Sequence, residues 1–211
     1  MAQIRDPAVA GSFYPQEPVA LQRQLEGFLS QKPRLETKPK ALIVPHAGYI
    51  YSGSVAASAY TQLIPIRERI QRVVLLGPAH RVGFRGLAAS SAEYFSTPLG
   101  LVRIDRQALD EILLLPQVRE FDRAHLEEHS LEVQLPFLQA VLKKDFGLIP
   151  LVVGESAADE VAEVIEKLWG GPETLLVISS DLSHYQDYDT ARRLDSATSE
   201  AIEQLNAQGL D

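Results

Sequence analysis

The chain has 211 residues, enough for one sizeable core, and its 45% hydrophobic and 23% charged content is that of an ordinary soluble domain. A formal net charge of −8 and a pI of about 5.2 repel phosphate backbones and anionic lipid, which argues against nucleic-acid and membrane partners. With no cysteine, the chain has no disulfide, thiolate nucleophile or thiolate metal ligand; histidine, carboxylate, Tyr and Ser are left to carry chemistry. No apolar run approaches the roughly 20 residues that a bilayer span requires. The first six residues lack the charged-then-apolar layout of a signal peptide, so the expectation is a cytoplasmic protein.

Along the chain, the first 18 residues carry Pro7, Gly11, Pro15 and Pro18 and read as an extended arm packed on the domain. Helical spacing of Val19, Leu21, Leu25, Phe28 and Leu29 covers 19–30 and breaks at Lys32-Pro33. A polar stretch from Arg34 to Lys40 leads into a strand at 41–45. After a loop from His46 to Gly53, the small-residue run Ser54 to Tyr60 suits a helix lying close on a sheet. A second strand follows at 73–77. Leu87–Ser90 and Leu101–Ile104 flank a turn from Ser96 to Gly100 and read as a hairpin or edge strand. Helices are expected at 106–115 and 130–144, the latter distorted at Pro136, which lacks the donor a helix interior needs. A strand at 146–153, a helix at 157–169, a strand at 174–179 and a helix at 189–207 capped by Asp189 complete the order. This order predicts a single α/β domain over residues 1–211, with a mostly parallel sheet flanked by helices. The chain ends on a helix at Ala207 to Asp211, and the expectation is that a C-terminal portion of the fold is lacking.

Three of the five histidines directly follow strand-like apolar runs: His46 after 41–45, His80 after 73–77, and His184 after 174–179. In open α/β sheets ligands bind beyond the carboxyl ends of the strands, so parallel neighbours would bring these imidazoles to one crevice. His46 and His80 are the metal-ligand candidates. Asp181 can supply a carboxylate or orient a histidine, which gives the two-histidine, one-carboxylate arrangement of non-haem Fe(II) sites. His184, three residues further on, is placed to face substrate as a general acid or base. Tyr49, Tyr51 and Tyr185 flank these histidines, with Ser52, Ser179, Ser180 and Ser183 nearby, either as a pocket wall of hydroxyls and aromatic faces or as amphipathic loop-surface residues. The segment His125-Leu126-Glu127-Glu128-His129 matches H-x-x-E-H, the inverted zinc-protease pattern. Its alternatives are a solvated acidic turn for His125, and for His129, beside Leu131, Leu135 and Leu138, a side chain pointing back into the crevice. The phosphate-loop, dinucleotide and nucleophile-elbow motifs are all absent.

Several segments together resemble the Memo family: Arg5 to Pro15, Pro45 to Gly53, Gly77-Pro78-Ala79-His80, Glu128 to Phe137, and Ser179 to Tyr185. The resemblance runs in order over nearly the whole chain. It implies a fold similar to the catalytic subunit of class III extradiol dioxygenases, which use non-haem iron. By motif it implies His46 and His80 as metal ligands and His184 as the acid/base histidine, with Asp181 and His129 lining the same pocket. Iron (Fe2+) is the first expectation for the metal, with copper or zinc as alternatives, and the family also implies association with a radical-SAM protein. Family members carry a cysteine on a late strand on the metal side, and dioxygenases a glutamate. This chain has no cysteine and stops before that region, so the expectation is either that the chain is truncated or that Asp181 or water completes the sphere.

The leading reading is a metal-binding protein with redox activity on an unknown small molecule. The alternative is a non-catalytic module that holds a peptide or partner in the same crevice. A third reading is zinc hydrolysis through His125 and His129.

Overall fold

The protein is described as a computed structural model covering residues 2–31, 38–142 and 145–207. The expected break at Lys32-Pro33, most of the polar stretch after it, the end of the 130–144 helix and the tail from Gln208 lie outside the described residues. Two compact units divide the chain, Met1–Ser180 and Asp181–Asp211.

Among the described residues, the first unit holds nine strands: β1 (Ile4–Arg5), β2 (Ala41–Val44), β3 (Arg72–Pro78), β4 (Leu87–Ala89), β5 (Tyr94–Thr97), β6 (Gly100–Arg103), β7 (Val118–Glu120), β8 (Gly147–Val153) and β9 (Thr174–Ser179). Its α-helices are α1 (Pro18–Ser30), α2 (Tyr49–Tyr60), α3 (Arg106–Ile112), α4 (Asp122–Leu126), α5 (Leu135–Leu142) and α6 (Ala158–Leu168). Six strands form the main sheet in the order β2-β9-β3-β8-β4-β7. The first four run parallel, β4 runs against β8, and β7 is parallel to β4. The α/β class with a mostly parallel sheet flanked by helices therefore holds. Val73–Leu76, Leu151–Val152 and Leu175–Val177 are buried, the continuous apolar pattern of strands covered on both faces. Register pairs Val44 with Ser179, Leu76 with Ile178 and Pro78 with Val153, so the four parallel strands end along one edge. Among the described residues, no helix is long and apolar enough to cross a membrane.

Small residues let α2 lie close to its neighbours. Ser52, Gly53, Ala56 and Ala57 are buried, and a Cβ at Gly53 would stand 2.5 Å from the Phe28 ring of α1. The helix begins at Tyr49, inside the segment expected to be loop. There Ser52 donates from its backbone N–H to Gly48 O and from its Oγ to Ala47 O, drawing these residues into a first turn. The hairpin turn stands where predicted, but its arms are β5 and β6. Leu87–Ala89 joins the main sheet instead, and β1-β5-β6 form a separate small sheet. Pro136 is the second residue of α5, preceded by a 3-10 turn at Glu132–Gln134. At that position its missing N–H forfeits no intrahelical bond, so it starts a helix and does not distort one.

The amino-terminal arm is anchored by charge. Arg5 pairs with Glu132 through Nη1, while its Nε and Nη2 donate to His125 O (3.1 and 2.9 Å) and Nη2 also donates to Glu128 O (2.7 Å). The Glu132 carboxylate also accepts from Ala8 N, Val9 N and the Tyr14 hydroxyl at 2.7, 3.0 and 2.6 Å. Burial, then the Glu132 charge, pushes the Tyr14 hydroxyl well above its ordinary pKa, so Tyr14 stays a donor.

In the second unit, α7 (Tyr188–Glu203) is capped by Asp187, whose Oδ1 accepts from Thr190 N at 3.0 Å. Asp189, the expected cap, lies inside the first turn.

Both partners of the Arg5–Glu132 pair are buried, so removing one strands the other charge. Arg5→Met is expected to lower unfolding free energy in urea by about 3–5 kcal/mol, the range for a broken buried pair. A loss below about 1 kcal/mol, the range of a surface pair, would show that the anchor does not hold the arm.

Candidate metal centre

His46 stands two residues beyond β2 and His80 two beyond β3, with β9 and its terminal Ser179 between those strands. His129 enters from the segment between α4 and α5. One ring nitrogen from each of these three histidines lies within 4.8 Å of the others. The ring centroids are 5.1 Å apart for His46–His80, 5.6 Å for His46–His129 and 4.5 Å for His80–His129. His46 is buried, whereas the His80 side chain is 35% exposed and opens the cluster to solvent. The 128–131 segment reaches this edge because residue 77 is glycine. A Cβ there would stand 2.9 Å from both Leu131 Cδ2 and Ser130 Oγ.

Buried polar groups surround the cluster. Glu128 accepts from His80 N (2.6 Å) and lies 2.9 Å from His80 Nδ1, and it also accepts from His129 N and Ser130 N at 2.9 Å. Burial would raise the Glu128 carboxyl, but the backbone donors and the His80 ring outweigh it and hold the group below the usual range. His46 Nδ1 lies 3.1 Å from Ser179 Oγ, which also meets Gln134 Nε2 and Ser130 O. The Phe13 ring of the arm packs 4.8 Å from His129. His129 Nδ1 is buried and makes no hydrogen bond, standing 3.4 Å from Glu128 Oε1. Burial, opposed by Glu128 and reinforced by His80, His46 and Arg81, pushes the His129 pKa down to about 4, so this imidazole is neutral near pH 7. A cluster of imidazoles suits zinc, copper, iron or nickel.

The sequence model of the Memo-like protein family matches residues 5–211. The chain belongs to the Memo family. A MEMO1 family protein of Aquifex aeolicus is 39% identical over 211 residues, covering 99% of this chain and 78% of that protein. A MEMO1 family protein of Sulfolobus acidocaldarius is 37% identical over 225 residues, covering 98% and 79%.

Within this Memo-family chain the structure brings His46 and His80 together and adds His129, which the sequence had suggested as a pocket residue or as a zinc ligand paired with His125. Asp181, His184 and Tyr185 belong to the second unit. There His184 Nε2 stands 3.9 Å from Asp181 Oδ2, and Tyr185 is fully exposed with φ 59°. A bulky side chain in that left-handed region costs roughly 1–3 kcal/mol, a strained turn directly beside His184. Tyr49 corrects its pocket-wall reading: it is buried, its hydroxyl donates to Val133 O at 2.7 Å, and its ring packs on Phe137 and Tyr14. Tyr51 is 78% exposed on α2.

The zinc-protease geometry does not form. His125 is buried, not solvated, and its Nε2 donates to Ala88 O at 2.9 Å. α4 ends at Leu126, so His125 and His129 do not share a helix face, and Glu128 is engaged by His80. Ser179 stands by the site, as its place among the nearby hydroxyls suggested, but Phe13, Ser130 and Gln134 were not foreseen as neighbours, nor Glu128 as a partner of His80. Of these four, Glu128 carried a signal, its place in the H-x-x-E-H match.

Burial first, then Arg5, against its bond to Ala88 O, pushes the His125 pKa from 6.5 down to about 4. The unfolded chain then binds one more proton than the folded chain between those values, so stability is lost as pH falls from 6.5 toward 4. His125→Gln keeps a donor for Ala88 O and should reduce the slope of unfolding free energy against pH in that window by about 1.4 kcal/mol per pH unit. Identical slopes for the two proteins would show that His125 is not held neutral.

Proposed function

We propose that this Memo-family protein holds a single non-haem transition metal between His46, His80 and His129, and acts in metal-dependent redox chemistry on an unidentified small molecule or peptide. The observation that carries this reading is the convergence of three ring nitrogens within 4.8 Å of one another. Iron is the first metal proposed, with copper and zinc as alternatives. Bound there, such an ion supplies Lewis acidity and, for iron or copper, redox chemistry. The chain contributes at most three imidazoles from this group, which leaves positions for a further ligand, and the exposed side of His80 is the route by which one enters. Asp181 and His184, 3.9 Å apart, are proposed as a proton-transfer pair.

The test is metal content after anaerobic reconstitution with Fe(II), then with Cu(II) and Zn(II). The parent should hold close to one ion per chain. His46→Ala, His80→Ala and His129→Ala should each lose it, and His184→Ala should retain it. A parent that takes up none of the three metals, or three histidine variants that match the parent, would sink the reading.

One observation favours a second reading. Ile50, Tyr51 and Val55 stand exposed along α2, an apolar surface suited to a peptide or protein partner in a non-catalytic module. In that case Tyr51→Ala removes partner binding while metal content is unchanged.

A further inference from the structure

We infer that Glu128 and Ser179 are positioning residues that hold His80 and His46 as Nδ1–H tautomers, turning the Nε2 lone pair of each toward the shared centre. The functional weight of this inference rests on the metal-centre reading, but the proton positions follow from the protein's own hydrogen bonds.

For His46 the proton is placed by elimination. Ser179 has one hydroxyl proton, and it lies 2.6 Å from Ser130 O, a carbonyl that can only accept. The proton therefore points there, and Oγ can only accept from its other neighbours. One of these is Gln134 Nε2 at 2.8 Å, and the other is His46 Nδ1 at 3.1 Å. The Gln134 amide is itself oriented without reference to the histidine. Its Nε2 donates to Pro45 O at 2.9 Å, again a carbonyl, and its Oε1 accepts from the buried Tyr60 hydroxyl at 2.9 Å. Main-chain carbonyls of Pro45 and Ser130 thus fix the direction of every hydrogen in the chain Tyr60–Gln134–Ser179–His46, and Nδ1 of His46 must carry its proton.

For His80 the partner is a carboxylate surrounded by obligate donors. The backbone N–H groups of His80, His129 and Ser130 all point at Glu128, covering both oxygens. An ionised carboxylate can only accept, so the contact of Oε1 with His80 Nδ1 at 2.9 Å is a donation from the ring, while His129 Nδ1 stands further off at 3.4 Å. Free imidazole side chains in water favour the opposite tautomer, with the proton on Nε2, so the fold inverts the intrinsic preference at both rings. A charged partner behind His80 and a neutral one behind His46 also make the two ligands unequal, because a carboxylate raises the basicity of the ring it holds.

The experiment is a long-range proton–nitrogen correlation spectrum of histidine-labelled, metal-free protein at a pH above the imidazole range, followed by Co(II) titration read in the visible spectrum. In the parent, His46 and His80 should both show protonated Nδ1 and bare Nε2. An Nε2–H signal at either ring in the parent overturns the inference without any variant being made. Ser179→Ala should release His46 toward Nε2–H and leave His80 unchanged, and Glu128→Gln should disturb His80 and leave His46 unchanged. Each variant should lose about 10–100-fold in Co(II) affinity, the usual cost of removing an outer partner of a ligating histidine. Unchanged affinity in variants with altered tautomers would overturn the positioning role. No Co(II) uptake by a parent with both Nδ1–H tautomers would overturn the metal-centre reading and leave the proton assignment standing. Co(II) uptake by a parent with Nε2–H rings would do the reverse.

Discussion

Glu132 is completely buried, and a carboxylate taken out of water destabilises a fold unless its charge and lone pairs are met. Here they are met by Arg5, by the backbone of Ala8 and Val9, and by Tyr14. All of these donors come from the first 14 residues. The pair therefore joins the start of the chain to its middle, and the join has consequences on both sides. The arm brings Phe13 against His129, and Phe13 O accepts from Tyr49 N at the start of α2. On the other side, Arg5 binds the carbonyls of His125 and Glu128, which fixes the backbone leading into His129. The position of the third imidazole depends on a salt bridge that touches none of the three.

The same short segment faces two other ways. Glu128 reaches the loop after β3, and Gln134 and Ser130 reach the ends of β2 and β9. From Glu128 to Gln134, buried polar side chains tie together the arm, the sheet edge and α2. An apolar segment of similar bulk would pack there but would offer the rings of His46 and His80 no partner. Ser179 and Glu128 give those two rings theirs.

Long-range order explains what was legible in the sequence. His46, His80 and the strands before them could be read because buried parallel strands are continuous apolar runs ending in polar residues. The Arg5 arm, too, was visible as a proline-punctuated segment, though not its charge anchor. What could not be read depended on pairing. Leu87–Ala89 and Tyr94–Thr97 are both short and β-like, and only the register with Val153 or with Arg103 tells sheet from hairpin. β7 and α4 are three and five residues long, too short for a period to show. α2 started early because Gly48 and Ala47 carbonyls captured donors that sequence spacing treats as loop. His125 and His129 looked equivalent in H-x-x-E-H, yet burial under β4 and the end of α4 separate them. Glu128 looked like a catalytic base or a surface acid, and its burial against the His80 backbone is a tertiary fact.

Sheet order matters more for this site than any single strand. β2 and β3 are separated in the chain by a helix and in the sheet by β9, which comes some 100 residues after β3. His46 and His80 therefore stand on either side of Ser179, the one residue of β9 able to bond an imidazole on the β2 side while accepting Gln134 from above. Until β9 pairs, His46 lacks the hydroxyl that orders its ring, and until Glu132 meets Arg5 the segment carrying His129 lacks its anchor. Contacts of such wide sequence separation carry a loop-closure cost that the rest of the fold must offset. The cluster is therefore a property of the folded first unit and of no shorter stretch within it.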